Sequence, residues 1–554
     1  MLKENYIPML TESLKNNWSE HALEDYSENN SLTYAALAMR IAKMHIMFEE
    51  NNIVPGDKIA IVGKNSVNWC STFLATISYG AVIVPILPDF KPNNIHHIVN
   101  HSEAKVLFTA DDKWDDLDEN SMPELRAIFS LHDYRILIQE KHETLYKVYA
   151  KLDELFEKKY PDGYKPEHIN LKEVANADLM VLNYTSGTTG FSKGVMLSCN
   201  SITGNVLFAK TNLDVGLGDT HLSFLPMAHV YGMAFDLLYP IVTGASIYLL
   251  GKTPSPKVLI DAFQHVKPKI IFAVPLILEK IYKKQLLPVL NKISMKVLTS
   301  IPILDVKIYA QIRKKLLSVF GENFTQMVIG GAAINKEVEL FLRKIKFPFT
   351  VGYGMTECGP LISYAHHFEL REFSCGQVLN GLMEAKIEST DPASIPGEVI
   401  VRGENVMNGY YKNKEATDKV MKDGWLYTGD MGVIDADNHL YLKGRGKNMI
   451  LGPNGQNIYP EEIEDKLNNM PFVAESLVLE SNNKVVALVY PDWTSADEMN
   501  LGQEDLEKIM NENKLNLNKE LEIYKAVTKI KLYPTEFEKT PKKSIKRFLY
   551  TFEK

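Results

Sequence analysis

Short apolar runs alternate with amphipathic stretches over the first two-thirds of the chain. Lys58-Ile-Ala-Ile-Val-Gly63, Ala81-Val-Ile-Val-Pro85 and Ala104-Lys-Val-Leu-Phe-Thr109 read as buried strands, with helices over Ser66 to Tyr79 and Asn93 to Ser102 between them. Residues 1–55 read as helical, with Leu32 to Leu37 opening a long amphipathic helix that runs to about Asn51. Leu179-Met-Val-Leu182 is a further buried strand, and Asn200 to Lys210 a helix. More strands are expected at 222–225, 245–250, 269–274 and 325–330. Residues 111–177, more charged and less periodic, are expected to be an excursion between two halves of the sheet. Lys280 to Phe320 carries Lys, Leu and Ile at helical spacing, suits two helices around Ser300-Ile-Pro302, and has no chemical role from its pattern. Such alternation predicts an α/β protein with parallel sheets flanked by helices.

From about residue 383 the pattern changes to short strands and turns, as in Gly397-Glu-Val-Ile-Val-Arg402 and His439-Leu-Tyr-Leu-Lys443, which predicts a β-rich segment. Pro460 then suits the first turn of a helix. Strands, a helix over 503–515 and a strand over 527–532 follow, enough for a small α+β unit. The expected division is therefore 1–446 for the large α/β and β-rich part and 447–554 for the small α+β unit.

Composition narrows the class. The 554 residues are 45% hydrophobic and 23% charged with a net charge of −8, which suits a soluble multidomain protein and gives no electrostatic case for nucleic acid. Cys70, Cys199, Cys358 and Cys375 are scattered and form no zinc-type spacing. Met233 to Leu250 is the most lipid-like run, but Asp236, Pro240 and Gly244 break it. With no signal peptide at the N-terminus, the expected location is cytoplasmic; peripheral membrane association at the inner face and a homodimer stay open.

The richest chemistry lies in Tyr184-Thr-Ser-Gly-Thr-Thr-Gly-Phe-Ser-Lys-Gly194. Its hydroxyls (Thr185, Ser186, Thr188, Thr189), glycines (Gly187, Gly190, Gly194) and Lys193 follow a buried strand. Glycines let successive backbone N–H groups converge on one anion, and Lys193 adds a mobile charge. The loop suits a polyphosphate, although the G-x-x-x-x-G-K-[ST] spacing of a Walker A loop is absent. Four further clusters follow: Phe224-Leu-Pro-Met-Ala-His-Val-Tyr-Gly232, Gly352-Tyr-Gly-Met-Thr-Glu-Cys-Gly-Pro360, Trp425-Leu-Tyr-Thr-Gly-Asp-Met-Gly432 and Gly444-Arg-Gly-Lys447. Taken singly, Tyr353 reads as a core aromatic, Glu357 as a helix-start carboxylate, Asp430 as a turn residue and His229 as a satisfied core histidine.

Together and in this order, the clusters resemble the adenylate-forming superfamily of acyl- and aryl-CoA synthetases, luciferases and peptide-synthetase adenylation domains. The resemblance implies a carboxylate activated by ATP to acyl-AMP with release of pyrophosphate, then thioester formation with coenzyme A. It also implies several subdomains in the large N-terminal domain, mobility in the small C-terminal domain, and site roles. Thr185 and Glu357 would hold Mg²⁺, whose hard charge suits oxygen donors. The loop of Thr185, Ser186, Gly187, Thr188, Thr189, Gly190 and Lys193 would wrap the β- and γ-phosphates. Gly331, Ala332, Tyr353 and Gly354 would form the adenine slot, with Thr356 on the α-phosphate. Asp430 would accept from the ribose hydroxyls beside Arg445, and His229 would stand where the carboxylate meets the acyl pocket. Lys447 matches the hinge.

One departure is plain. The superfamily places a catalytic lysine near the C-terminus, but alignment of Glu538-Lys-Thr-Pro-Lys-Lys-Ser-Ile-Lys-Arg547 puts Ser544 there, with Lys543 one residue earlier and Lys546 a weaker substitute. The same stretch also reads as a solvated basic tail. Among superfamily members, the segments 280–320 and 330–354 look most like long-chain fatty acid–CoA ligases. No tryptophan lies between Trp114 and Trp425 to close an acyl pocket in the way short-chain members do. The alternatives are an aryl- or other carboxylate–CoA ligase and a catalytically impaired nucleotide-binding homologue.

Overall fold

The computed structural model describes residues 1–28, 30–138, 143–185, 192–290, 292–301, 304–452, 456–540 and 544–552. Its largest sheet has seven strands, in the order Ile136–Ile138, Ala127–Ser130, Ala104–Thr109, Lys58–Val62, Val82–Ile86, Leu179–Thr185 and Lys193–Ser198. The five inner strands are mutually parallel, and the two outermost run antiparallel to their neighbours. Helices cover both faces of the inner strands, which is why Lys58–Val62 and Val82–Ile86 read as nearly continuous apolar runs. The helix Val67–Ser78 is buried along its whole length, and Ser66 caps it by accepting a hydrogen bond from the Trp69 N–H.

Residues 1–55 depart from the all-helical expectation. The helices are Tyr6–Asn16 and Tyr34–Glu50, and between them the strands His21–Asp25 and Ser31–Thr33 form a hairpin. His21–Asp25 joins a second sheet by pairing in parallel with Ser246–Leu249, next to Thr220–Ser223. No local pattern announces so short a strand; its partner lies more than two hundred residues away in sequence. Residues 111–177 also hold more than an excursion, because Ala127–Ser130 and Ile136–Ile138 extend the main sheet. Within 280–320, the helices Ile293–Leu298 and Leu304–Leu317 lie on either side of residues 300–302 as expected, and the further helical segments Tyr282–Leu286 and Leu287–Leu290 precede them.

A third, parallel sheet orders Ile270–Ala273, Gln326–Ile329 and Phe349–Val351. The β-rich segment is antiparallel and centred on Gly397–Gly403 and Trp425–Ile434. One hydrophobic core runs from Tyr6 to Leu440. A separate one gathers Ile450, Ile463, Val478, Val489, Met510 and Val527 around the three-stranded sheet Val473–Ser481, Lys484–Pro491 and Lys529–Leu532. Among the described residues no helix is long and apolar enough to cross a membrane, and Met233 to Leu250 folds as two short helical segments and a strand.

Candidate active site

Three of the singled-out side chains meet directly. Trp425–Ile434 and Leu440–Arg445 are antiparallel neighbours in which Asp430 stands opposite Arg445. The Arg445 Nε lies 2.8 Å from Asp430 Oδ1. The Tyr353 hydroxyl donates to Asp430 Oδ2 at 2.7 Å. The Asp430 side chain is only 10% exposed, and burial pushes its carboxyl above the ordinary range against the opposing pull of Arg445 and of the Tyr353 hydrogen bond. Burial and the neighbouring carboxylate drive the Tyr353 phenol far up, so it remains a donor. Both Asp430 oxygens thus have protein partners that a ligand hydroxyl could join or displace.

A second group forms around the end of the strand Leu179–Thr185. Thr185 and Lys193 are paired residues across the two strands that flank the Thr/Ser/Gly loop. Ser186, Gly187, Thr188, Thr189 and Gly190 lie outside the described residues. Lys193 Nζ sits 4.7 Å from the centre of the Tyr410 ring, a cation–π distance. The Tyr410 hydroxyl donates to Glu357 Oε1 at 2.8 Å. Backbone bonds fix this arrangement: Met407 N–H donates to Glu357 O, Asn408 N–H to Met196 O and Tyr411 N–H to Gly194 O. The segment 407–411 therefore staples the strand that begins at Lys193 to the turn Thr356–Cys358 that carries Glu357. Sequence reasoning missed Tyr410; the signal available was Gly409-Tyr-Tyr411 at the end of the β-rich segment.

The remaining residues lie on connecting turns. Gly331 has φ +84° in the turn after Gln326–Ile329, a conformation that favours glycine, and Ala332 is exposed beside it. Gly354 must lack a side chain, because a Cβ there would fall 2.2 Å from the Pro360 carbonyl oxygen. Thr356 is buried. His229 caps the short helix Val230–Gly232, with Nδ1 accepting from the Tyr231 N–H at 3.2 Å, so a neutral ring carries its proton on Nε2. The Tyr231 hydroxyl donates to Val328 O at 2.9 Å, which ties the His229 segment to the strand leading into Gly331. Lys447 is exposed in the turn Gly446–Asn448, just before the second core begins.

The C-terminal lysines are less available than their number suggests. Lys539 is paired with Glu475 and Glu536, Lys546 with Glu538, and Arg547 with Glu464 and Val478 O. Three of the five charges of the supposed solvated tail are therefore structural partners, which leaves Lys546 a poor candidate for chemistry. Ser544 is exposed, and its carbonyl accepts from the Thr540 N–H at 2.8 Å. Lys543 lies outside the described residues.

Residues 10–411 match the AMP-binding enzyme family. Long chain acyl-CoA synthetase 1 of Arabidopsis thaliana is 27% identical over 550 residues, which cover 89% of this chain and 81% of that protein. Long-chain-fatty-acid–CoA ligase ACSBG2 of Rattus norvegicus is 27% identical over 80% of this chain and 69% of its own length. 4-coumarate–CoA ligase 2 of Nicotiana tabacum is 26% identical over 86% of this chain and 82% of its own. The solved structure of the anthranilate CoA ligase AuaEII with anthranoyl-AMP superposes with a TM-score of 0.77 at 19% identity, covering 99% of this chain and 97% of that one. O-succinylbenzoate coenzyme A synthetase of Bacillus subtilis with AMP gives 0.72 at 21% identity, covering 99% and 98%. At such identities the shared property is the fold. The chain belongs to the AMP-binding enzyme family and has the α/β fold of adenylate-forming enzymes.

Proposed function

We propose that this AMP-binding enzyme is an AMP-forming acid–thiol ligase, and that its acid is a long-chain fatty acid. The observation that carries the reading is the pairing of two built groups. Asp430, held by Tyr353 and Arg445, offers acceptors suited to ribose hydroxyls. Glu357 and Lys193, joined through Tyr410, offer charge suited to phosphates. ATP laid between them would place its α-phosphorus near Thr356 and its adenine against Gly331, Ala332, Tyr353 and Gly354.

The chemistry asks for positioning and charge neutralisation. A carboxylate oxygen attacks the α-phosphorus and pyrophosphate departs, its charge met by Lys193 and the loop donors. The thiol of coenzyme A then attacks the acyl carbonyl and AMP leaves. Thr185 and Glu357 fit Mg²⁺ as hard oxygen donors, and among the described residues no cluster of three or more His, Cys, Asp or Glu forms a separate cation cage. When bound, Mg²⁺ would neutralise phosphate charge. His229 would stand where the incoming carboxylate meets the acyl pocket. Residues 1–446 would form the substrate-binding domain and 447–554 a lid that turns about Lys447 between the half-reactions.

Relatives named as long-chain ligases support the fatty acid, and the absence of tryptophan between Trp114 and Trp425 permits it. A second acid class, aryl, draws support from the 4-coumarate–CoA ligase relative and the anthranilate ligase structure. Competition among palmitate, acetate and an aromatic acid in a thioester assay decides between them. Palmitate should dominate, and a clear preference for either of the others sinks the fatty acid assignment. The departure at Ser544 also favours testing for a nucleotide-binding homologue with impaired catalysis. No pyrophosphate release across the acid panel, with AMP still bound, would establish that alternative.

A further inference from the structure

A cavity of about 420 Å³ opens in the other half of the seven-stranded sheet, away from Thr185 and Lys193. The chain runs from Lys58–Val62 outward to Val82–Ile86, then crosses back to Ala104–Thr109 on the opposite side of the first strand. Connections thus reverse direction between Lys58–Val62 and Ala104–Thr109. In open α/β sheets the space outside the carboxyl ends of strands at such a reversal is where ligands bind. Two lining residues flank it: Phe108 near the carboxyl end of one strand, and Asn68 in the first turn of the helix that follows the other.

The lining is built for a charged head on an apolar body. Met44, Met47, Phe108 and Phe129 supply buried apolar wall. Arg40 is half-buried, and its Nη1 donates to Asn68 Oδ1 at 2.5 Å. Asn68 is itself fixed, its amide donating to the carbonyls of Leu131 and His132 at 2.8 Å each. Among the described residues no carboxylate forms an ion pair with Arg40, whereas Lys43 is paired with Asp153 and Asp133 with Arg135. The acids lining the cavity, Glu28 and Asp133, are exposed to solvent, and the buried Asp25 carboxylate, which accepts from Asn30 and the Val67 N–H, feels the Arg40 charge without forming an ion pair with it. Tyr134, whose ring lies 5.9 Å from the Arg40 guanidinium, holds φ +61°. A bulky side chain in the left-handed region is costly, so the surrounding contacts must hold Tyr134 there.

We propose that this cavity is an effector site for a small organic anion with an apolar body, of the aromatic carboxylate class, whose acid group is taken by Arg40. The volume lies within the roughly 300–1,000 Å³ of small-molecule pockets, and a guanidinium answers a carboxylate with two parallel hydrogen bonds. The route to the active site is short. Asn65, three residues before Asn68, donates to Ser223 Oγ and Leu225 O and accepts from the Met227 N–H at 2.9 Å, two residues before His229. One turn, Asn65 to Asn68, therefore anchors both the cavity and the segment that carries His229, so occupancy of one site biases the other reciprocally.

Fluorine NMR with 4-(trifluoromethyl)benzoate, and AMP plus palmitate saturating the active site, tests the assignment. The wild-type protein should bind this probe about tenfold or more tightly than the neutral 4-(trifluoromethyl)benzamide, and Arg40→Gln should lose about tenfold or more in affinity for the acid. Saturation with the probe should shift KM for the acyl substrate in the wild-type protein and leave it unmoved in Arg40→Gln. Equal binding of acid and amide, a comparison that needs no variant, would overturn the site, as would no binding or unchanged binding to Arg40→Gln. Binding without a shift in KM would overturn the effector role. Only the variant makes the test independent of which acid the enzyme activates: an aromatic acid held in the active site would bind equally to the wild-type protein and to Arg40→Gln, and that outcome overturns the site.

Discussion

The Tyr410 hydroxyl hydrogen-bonds Glu357 Oε1 at 2.8 Å, and Tyr410 is the one side chain that touches both Glu357 and Lys193 in the described contacts. A phenol that donates to a carboxylate fixes its direction and leaves its second oxygen for another partner. Burial and the facing carboxylate push the Tyr410 hydroxyl well up, so it stays protonated at working pH.

Removing that hydroxyl is the most direct test of the site. Tyr410→Phe keeps the ring beneath Lys193 and frees Glu357. A hydrogen bond to a charged group contributes about 1.5–3 kcal/mol, so kcat/KM for MgATP should fall about 10- to 100-fold. Initial-rate kinetics of acid-dependent pyrophosphate release check it. Wild-type values in Tyr410→Phe would remove Tyr410 from the machinery.

Asp430 predicts a pH dependence. Burial raises its carboxyl above the ordinary 3.8, with Arg445 and Tyr353 pulling the other way. Between 3.8 and that raised value, the folded state holds a proton that the unfolded chain has lost. The group's contribution to stability is therefore largest below the window and declines as pH rises through it. Nucleotide binding runs in the opposite sense, because the ribose needs the carboxylate. AMP affinity should fall as pH drops into the window, and Asp430→Asn should bind weakly with a flatter profile. Calorimetric titration across pH measures both, and a steep profile retained in Asp430→Asn contradicts the assignment.

His221 and Asp236 form a buried pair, 3.0 Å apart with each side chain 1% exposed, and Ser223 also donates to the carboxylate. Removing one member of such a pair leaves an uncompensated polar group and costs about 3–5 kcal/mol. Asp236→Ala should lower the denaturant midpoint accordingly, while His221→Leu combined with Asp236→Leu should recover part of the loss. An Asp236→Ala midpoint equal to wild type would show the pair to be dispensable.

The C-terminal lysine can be resolved kinetically. If Lys543 bridges the attacking carboxylate and the α-phosphate, Lys543→Ala should slow acyl-AMP formation far more than thioester formation from preformed acyl-AMP. Equal loss of both half-reactions, with the fold intact by circular dichroism, argues against that role. Lys546→Ala should spare both, because Lys546 is occupied with Glu538.

Chain-local signals determined much of this protein. The inner strands of the main sheet were legible because both faces are covered, so the whole run is apolar. Tyr353, Asp430 and Arg445 stood out only through the order of their clusters, since Tyr353 and Asp430 taken alone read as ordinary core or turn residues; the structure brings the three side chains together. What tertiary structure alone decided is where separate segments meet. The strand His21–Asp25 exists because Ser246–Leu249 offers it a parallel edge, a pairing that five residues of local sequence cannot encode. Ala127–Ser130 belongs to the main sheet because Ala104–Thr109 receives it. Tyr410 looks like any aromatic in a turn until the backbone bonds of 407–411 bring it between Lys193 and Glu357. Periodicity reports which face of an element is buried, and only the packed chain reports what that face is buried against.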